Sequence, residues 1–83
     1  PTQVLYWRTT TGTEVDFVIE TGPRLLPIEV KSSRRVTQAD ARGLRAFLAE
    51  YPDLTDGALL LYDGPEVLPL GQGVLAVPWW TVC

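Results

Sequence analysis

Residues 13–31 read TEVDFVIETGPRLLPIEVK. In extended chain, successive side chains point to opposite faces. Val15, Phe17 and Ile19 therefore fall on one side, and Glu14, Asp16, Val18 and Glu20 on the other. Thr21-Gly22-Pro23-Arg24 carries the Gly and Pro of a turn. Beyond it, Leu26, Ile28 and Val30 alternate with Leu25, Pro27, Glu29 and Lys31. A regular hairpin closed by this turn pairs residue 20 with 25, 16 with 29, and 14 with 31. Asp16 then stands opposite Glu29 with Cβ atoms ~5 Å apart, and Glu14 stands opposite Lys31. Pro27 has no N–H to give to a ladder, so an edge position or a bulge is expected there. A slip of one residue would put the partners on opposite faces.

Two carboxylates facing each other across a strand pair destabilise it by up to ~1 kcal/mol. A cation relieves this, or one carboxylate takes up a proton. Lys31 lies on the face of Glu29 and helps; a divalent cation relieves it more completely. Carboxylates on rigid strands beside a lysine suit metal-assisted phosphodiester hydrolysis. The metal acidifies a bound water and polarises a phosphoryl oxygen, and the lysine stabilises developing negative charge.

Working outward, residues 4–8 are aromatic and branched enough for a first strand. Residues 32–36 form a loop. Thr37 is a helix N-cap with Asp40 three residues on. The helix runs to about Tyr51 and is stopped by Pro52, with Ala41, Leu44, Phe47, Leu48 and Tyr51 as its apolar stripe. The apolar run 57–62 reads as a central strand, 67–70 as a short edge strand and 74–77 as a last strand. Tyr6 and Tyr62 are expected in the core, and Trp7, Trp79 and Trp80 in the core or against an upstream segment, with stacking on nucleic-acid bases as the alternative. The order is β-β-β-α-β-β: an α/β (α+β) domain with one helix on a mixed sheet.

The composition narrows the chemistry. Eighty-three residues make one domain, which buries only ~60–65% of the surface its unfolded chain exposes. No apolar run is long enough for a membrane span, and no signal-peptide pattern is present. The chain has no His and one Cys, Cys83. Histidine-based nucleophile activation, an intrachain disulfide and a structural zinc site are thereby excluded within it. Metal ligation falls to carboxylates, which suit hard cations such as Mg²⁺, Ca²⁺ or Mn²⁺. The net charge of −3 argues against strong non-specific nucleic-acid binding. Arg34, Arg35, Arg42 and Arg45 nevertheless cluster just after Lys31, a local basic patch for phosphate contacts. A chain without Met that starts at Pro1 is expected to be part of a longer cytoplasmic protein.

The motif Asp16, then Glu29-Val30-Lys31 after a short hairpin, resembles that of the PD-(D/E)xK nuclease superfamily. The stretches Tyr6-Trp7-Arg8, Glu14-Val15-Asp16-Phe17, Pro27-Ile28-Glu29-Val30-Lys31-Ser32-Ser33 and Val77-Pro78-Trp79 look like the uncharacterised domain at the C-terminus of prokaryotic AAA-type ATPases. This resemblance covers nearly the whole chain. It implies a restriction-endonuclease-like core whose first helix, and the ATPase, lie upstream. It implies Asp16 and Glu29 as ligands of Mg²⁺ (or Mn²⁺), Lys31 as the catalytic lysine, Gln38 as a supporting residue on the following helix, and DNA as substrate. Glu14 is a family feature that either pairs with Lys31 or joins the ligands. The competing function is a catalytically inactive interaction module packing on the ATPase or a protein partner. Self-association through exposed sheet edges is also expected.

Overall fold

The computed structural model describes residues 2–8 and 14–82, with side chains from residue 15 onward. Six strands form one mixed sheet: β1 (Thr2–Arg8), β2 (Glu14–Thr21), β3 (Arg24–Val30), β4 (Ala58–Tyr62), β5 (Leu68–Gly71) and β6 (Val74–Pro78), in the order β1-β2-β3-β4-β6-β5. One helix, α1 (Arg42–Glu50), connects β3 to its parallel neighbour β4. The mixed sheet is as expected, but the order is β-β-β-α-β-β-β, with one strand more after the helix than the expected β-β-β-α-β-β, because the short edge segment Leu68–Gly71 pairs with β6 as a full strand. β4 lies at the centre, parallel to β3 and β6, and β5 is an edge strand.

The β2–β3 hairpin has the expected register, with Glu20 opposite Leu25 and the ladder continuing to Thr21 and Arg24. Gly22 has φ 59. Followed by Pro23, it meets the demand of a two-residue hairpin turn for a positive φ at its first position. At that end, the Arg24 guanidinium grips the Asp56 carboxylate and donates to the Asp53 carbonyl at 3.1 Å. Beside it lies a shallow cavity of about 190 Å³ touching Arg24, Leu25, Asp56 and Gly57.

The hairpin departs from regularity at its other end. β1 pairs Leu5 with Val18 but Trp7 with Val15, so Asp16 and Phe17 together oppose a single residue. This is a β-bulge in β2, and it reverses the side-chain alternation. Val15 consequently leaves the face of Phe17 and Ile19 and joins Val18 in the core. The expected common face of Val15, Phe17 and Ile19 is thus broken, and Phe17 is 46% exposed.

Pro27 corrects a second expectation. It lies on β3, an interior strand, and is fully buried. The β2–β3 ladder runs past it without a shift. Leu25 N–H bonds to Leu54 O and Lys31 N–H to Leu61 O. By alternation, the missing N–H of Pro27 also points towards β4. There Leu25 bridges Thr55, whereas Ile28 pairs with Leu59. The partner chain gains one residue across this interval. The irregularity that proline requires therefore sits on the β4 side, with β3 kept central.

The core is one-sided. Ala41, Leu44 and Phe47 pack on Val15, Val18, Ala58, Leu60, Tyr62, Val74 and Ala76. Tyr62 is 1% exposed, as expected of a core aromatic, and its hydroxyl donates to Glu66 O. The first turn after Thr37 is a 3₁₀ turn, Gln38–Ala41, that leads into α1. The Asp40 carboxylate accepts the Thr37 N–H at 2.8 Å, the local bond that starts a helix. Trp79 and Trp80 are 46% and 47% exposed, so neither belongs to this core. Trp7, Tyr6, Glu14 and Cys83 have side chains outside the described residues. No described helix is long and apolar enough to cross a membrane.

Candidate functional site

Because β2 is antiparallel to β3, and β3, β4 and β6 are parallel, one end of the sheet collects the start of β2 and the carboxyl ends of β3, β4 and β6. In open α/β sheets this is the end at which ligands bind. Asp16, Glu29, Lys31 and the loop bearing Arg34 and Arg35 lie there.

Asp16 sits in the bulge. The last regular β2–β3 pair is Phe17 with Ile28. Beyond it, Val30 N–H faces β2, since its neighbour Lys31 donates the other way, to Leu61 O at 2.8 Å. Val30 N–H donates instead to the Asp16 carboxylate, at 2.9 Å from Oδ2. The side chain of Asp16 thus closes the ladder where the backbone of β2 has bent away, and its carboxylate is held at the residue between Glu29 and Lys31.

Glu29 and Lys31 alternate with Val30 and project to the same side as Pro27 and Leu25, which pack under the helix. That side is the helix-covered face, not the solvent face that a simple amphipathic strand would give to charges. Glu29 is half-buried. Lys31 Nζ lies 3.6 Å from Asp40 Oδ1. Asp40 therefore uses one oxygen on the Thr37 N–H and the other on the lysine. The expected partner, Glu14, opposes Arg8 in the β1–β2 ladder, and its side chain lies outside the described residues. Thr37 and Asp40 carry the signal of a helix start in the sequence. That the same carboxylate meets Lys31 was not legible, because it depends on how the loop 32–36 folds back.

The basic cluster divides. Arg45 donates to Gln38 O at 2.7 Å, to the Gln38 side-chain carbonyl and to Leu70 O at 3.1 Å. It ties the start of the helix to β5, and it occupies the Gln38 side chain. Arg34, Arg35 and Arg42 are exposed. Arg34 and Arg35 lie on the loop after β3, which Ser33 pins by accepting Asp63 N–H through its carbonyl at 2.8 Å. The Ser33 hydroxyl also donates to Arg35 O at 2.8 Å.

Asp16 and Glu29 offer only carboxylate oxygens, and the Asp16 carboxylate is bonded at Val30, the residue next to Glu29. Among the described residues no group of three acidic, His or Cys side chains is arranged to hold a metal ion. Two carboxylates with water completing the shell are a common way to bind Mg²⁺, so the residues present fit a hard cation and not zinc.

The family model for a domain of unknown function, DUF4143, matches residues 1–82. The chain belongs to the DUF4143 family. No curated protein and no solved structure matches it.

Proposed function

We propose that this DUF4143 domain is a nuclease-like module with a metal-dependent phosphodiester hydrolysis site acting on DNA, as the PD-(D/E)xK resemblance implies, carried C-terminal to an AAA-type ATPase, as the resemblance to the C-terminal domain of such ATPases implies. The observation that supports it is the bond from Val30 N–H to Asp16 Oδ2 at 2.9 Å. It fixes one carboxylate beside a Glu-x-Lys run at the ligand-binding end of the sheet.

In this reading Asp16 and Glu29 hold Mg²⁺ or Mn²⁺. A divalent cation bound there supplies Lewis-acid chemistry and an acidified water. Lys31 places its positive charge where negative charge develops on the phosphoryl oxygens. Asp40 orients Lys31 and is itself fixed by the Thr37 N–H. Arg34 and Arg35 stand ready to contact phosphates, whereas Arg45 holds the helix to the sheet.

A second reading, an inactive interaction module, is supported by the exposed indoles of Trp79 and Trp80, since exposed apolar patches mark contact surfaces. Mn²⁺ titration followed by paramagnetic line broadening separates the two. The nuclease reading expects one ion at Asp16 and Glu29, lost in Asp16→Asn. It also expects oligonucleotide cleavage that Lys31→Ala lowers by roughly 100-fold or more, as for loss of one charge-stabilising donor. Absence of ion binding, together with cleavage indifferent to Lys31→Ala, sinks the hydrolytic reading.

A further inference from the structure

The indoles of Trp79 and Trp80 are unusual in being half-exposed, for tryptophan is highly buried on average. Local contacts also define their setting. They follow Pro78, which is fully buried at the end of β6. They sit on a 3₁₀ turn, Trp79–Thr81, closed by Thr81 Oγ1 donating to Pro78 O at 2.7 Å. The two rings brace each other edge to face, with centroids 5.9 Å apart and planes at 84°. An exposed aromatic pair of this kind offers ring faces to a planar ligand.

Its place in the sheet suggests which ligand. Pro78 pairs with Tyr62 across β4 and β6, and Asp63, the next residue, donates its N–H to Ser33 O. Trp79 thus lies two strand spacings, about 10 Å, from the loop bearing Arg34 and Arg35. That loop springs from Lys31. One end of the sheet presents, in lateral order, the Asp16–Glu29–Lys31 group, two exposed guanidinium groups and two exposed indoles.

We propose that Trp79 and Trp80 form a stacking platform for unpaired bases, and that Arg34 and Arg35 receive the phosphates of the same single strand. This names the form of nucleic acid that the site proposed above takes, and rests on that reading. Indole faces stack bases of any sequence, but only bases not already stacked inside a duplex. Charge points the same way. Asp63 and Glu66 follow β4 at this end, and the chain carries a net charge of −3. A duplex, with its denser phosphates, meets more repulsion than a single strand.

The test is binding of the intact protein to a labelled oligothymidylate and to a duplex, by fluorescence anisotropy with EDTA present so that no metal-dependent cleavage occurs. The expected result is binding to the single strand in preference to the duplex. Trp79→Ala and Trp80→Ala should each weaken it by roughly 5- to 100-fold, with Trp→Phe recovering most of the loss. Arg34→Ala and Arg35→Ala should each flatten the logarithmic dependence of affinity on salt by about 0.7, the value for one phosphate neutralised on a single strand. Unchanged affinity in Trp→Ala variants of native circular dichroism overturns the proposal, as does equal or tighter binding of the duplex, or no binding of the single strand. Loss of single-strand affinity in the Trp→Ala variants, alongside absence of cleavage by wild type with Mn²⁺, supports the platform while removing the hydrolytic reading.

Discussion

Asp16 has two duties that different substitutions can separate. It accepts the Val30 N–H in place of a backbone carbonyl, and in the proposed site it ligates a cation. Asp16→Asn keeps an acceptor oxygen for Val30 and halves the ligand's oxygens while removing its charge. Asp16→Ala removes the acceptor of the Val30 N–H, a hydrogen bond worth about 0.5–1.5 kcal/mol net. The expected outcome in urea unfolding is a clear drop in midpoint for Asp16→Ala and a small one for Asp16→Asn. Equal midpoints for the two would show that the side chain does not close the ladder. Little of this arrangement was legible beforehand. A regular hairpin predicts Asp16 across from Glu29, and the register that leads there is correct as far as Phe17 and Ile28. The alternation Val15-Asp16-Phe17-Val18 carries no mark of a bulge, because the bulge is made by how β1 pairs with β2, and that pairing is non-local.

At the scale of elements, local signals served where local physics decides. Gly22 and Pro23 set the turn, Thr37 and Asp40 the helix start, and Pro52 follows the C-cap of α1. They failed for Pro27, whose cost is absorbed by an irregularity in a neighbouring strand that the β3 sequence does not record. Nor did they separate Arg45 from the basic patch expected to contact phosphates, although its guanidinium reaches across to β5. Helix α1 has nine residues, too few to be stable alone in water. Its persistence comes from Leu44 and Phe47, which are 0% and 1% exposed. Leu44→Ala removes the apolar contact in the first turn of this short helix and leaves a cavity against the sheet. The expected destabilisation is about 2–5 kcal/mol, a large share of the margin of so small a domain. Urea titration measures it, and a change below about 1 kcal/mol would mean that the helix is held by something other than this packing.

For the whole molecule, the physical tension lies in the face of the sheet opposite α1. β3, β4 and β6 are mutually parallel, and parallel strands are ordinarily covered on both faces. Here the helix covers one. The other carries Phe17, Ile19, Leu26, Ile28 and Val30 on the hairpin and Leu59 and Leu61 on β4, as the alternation of the core residues requires. Ile28 and Val77 are buried on this side, yet Phe17 and Val30 are 46% and 47% exposed. The two exposed residues flank each other across β2 and β3 near the end of the hairpin that holds Asp16. Contiguous apolar surface of this kind drives association. Threonine keeps the branched shape that strands favour while removing the apolar exposure. A Phe17→Thr, Val30→Thr variant should therefore lose little stability, within about 1 kcal/mol per site, and should self-associate less at high concentration. Sedimentation velocity and urea unfolding measure the two quantities on the same samples. A large loss of stability with unchanged association would mean that this face is covered within the protein, and that its apolar residues complete a second core.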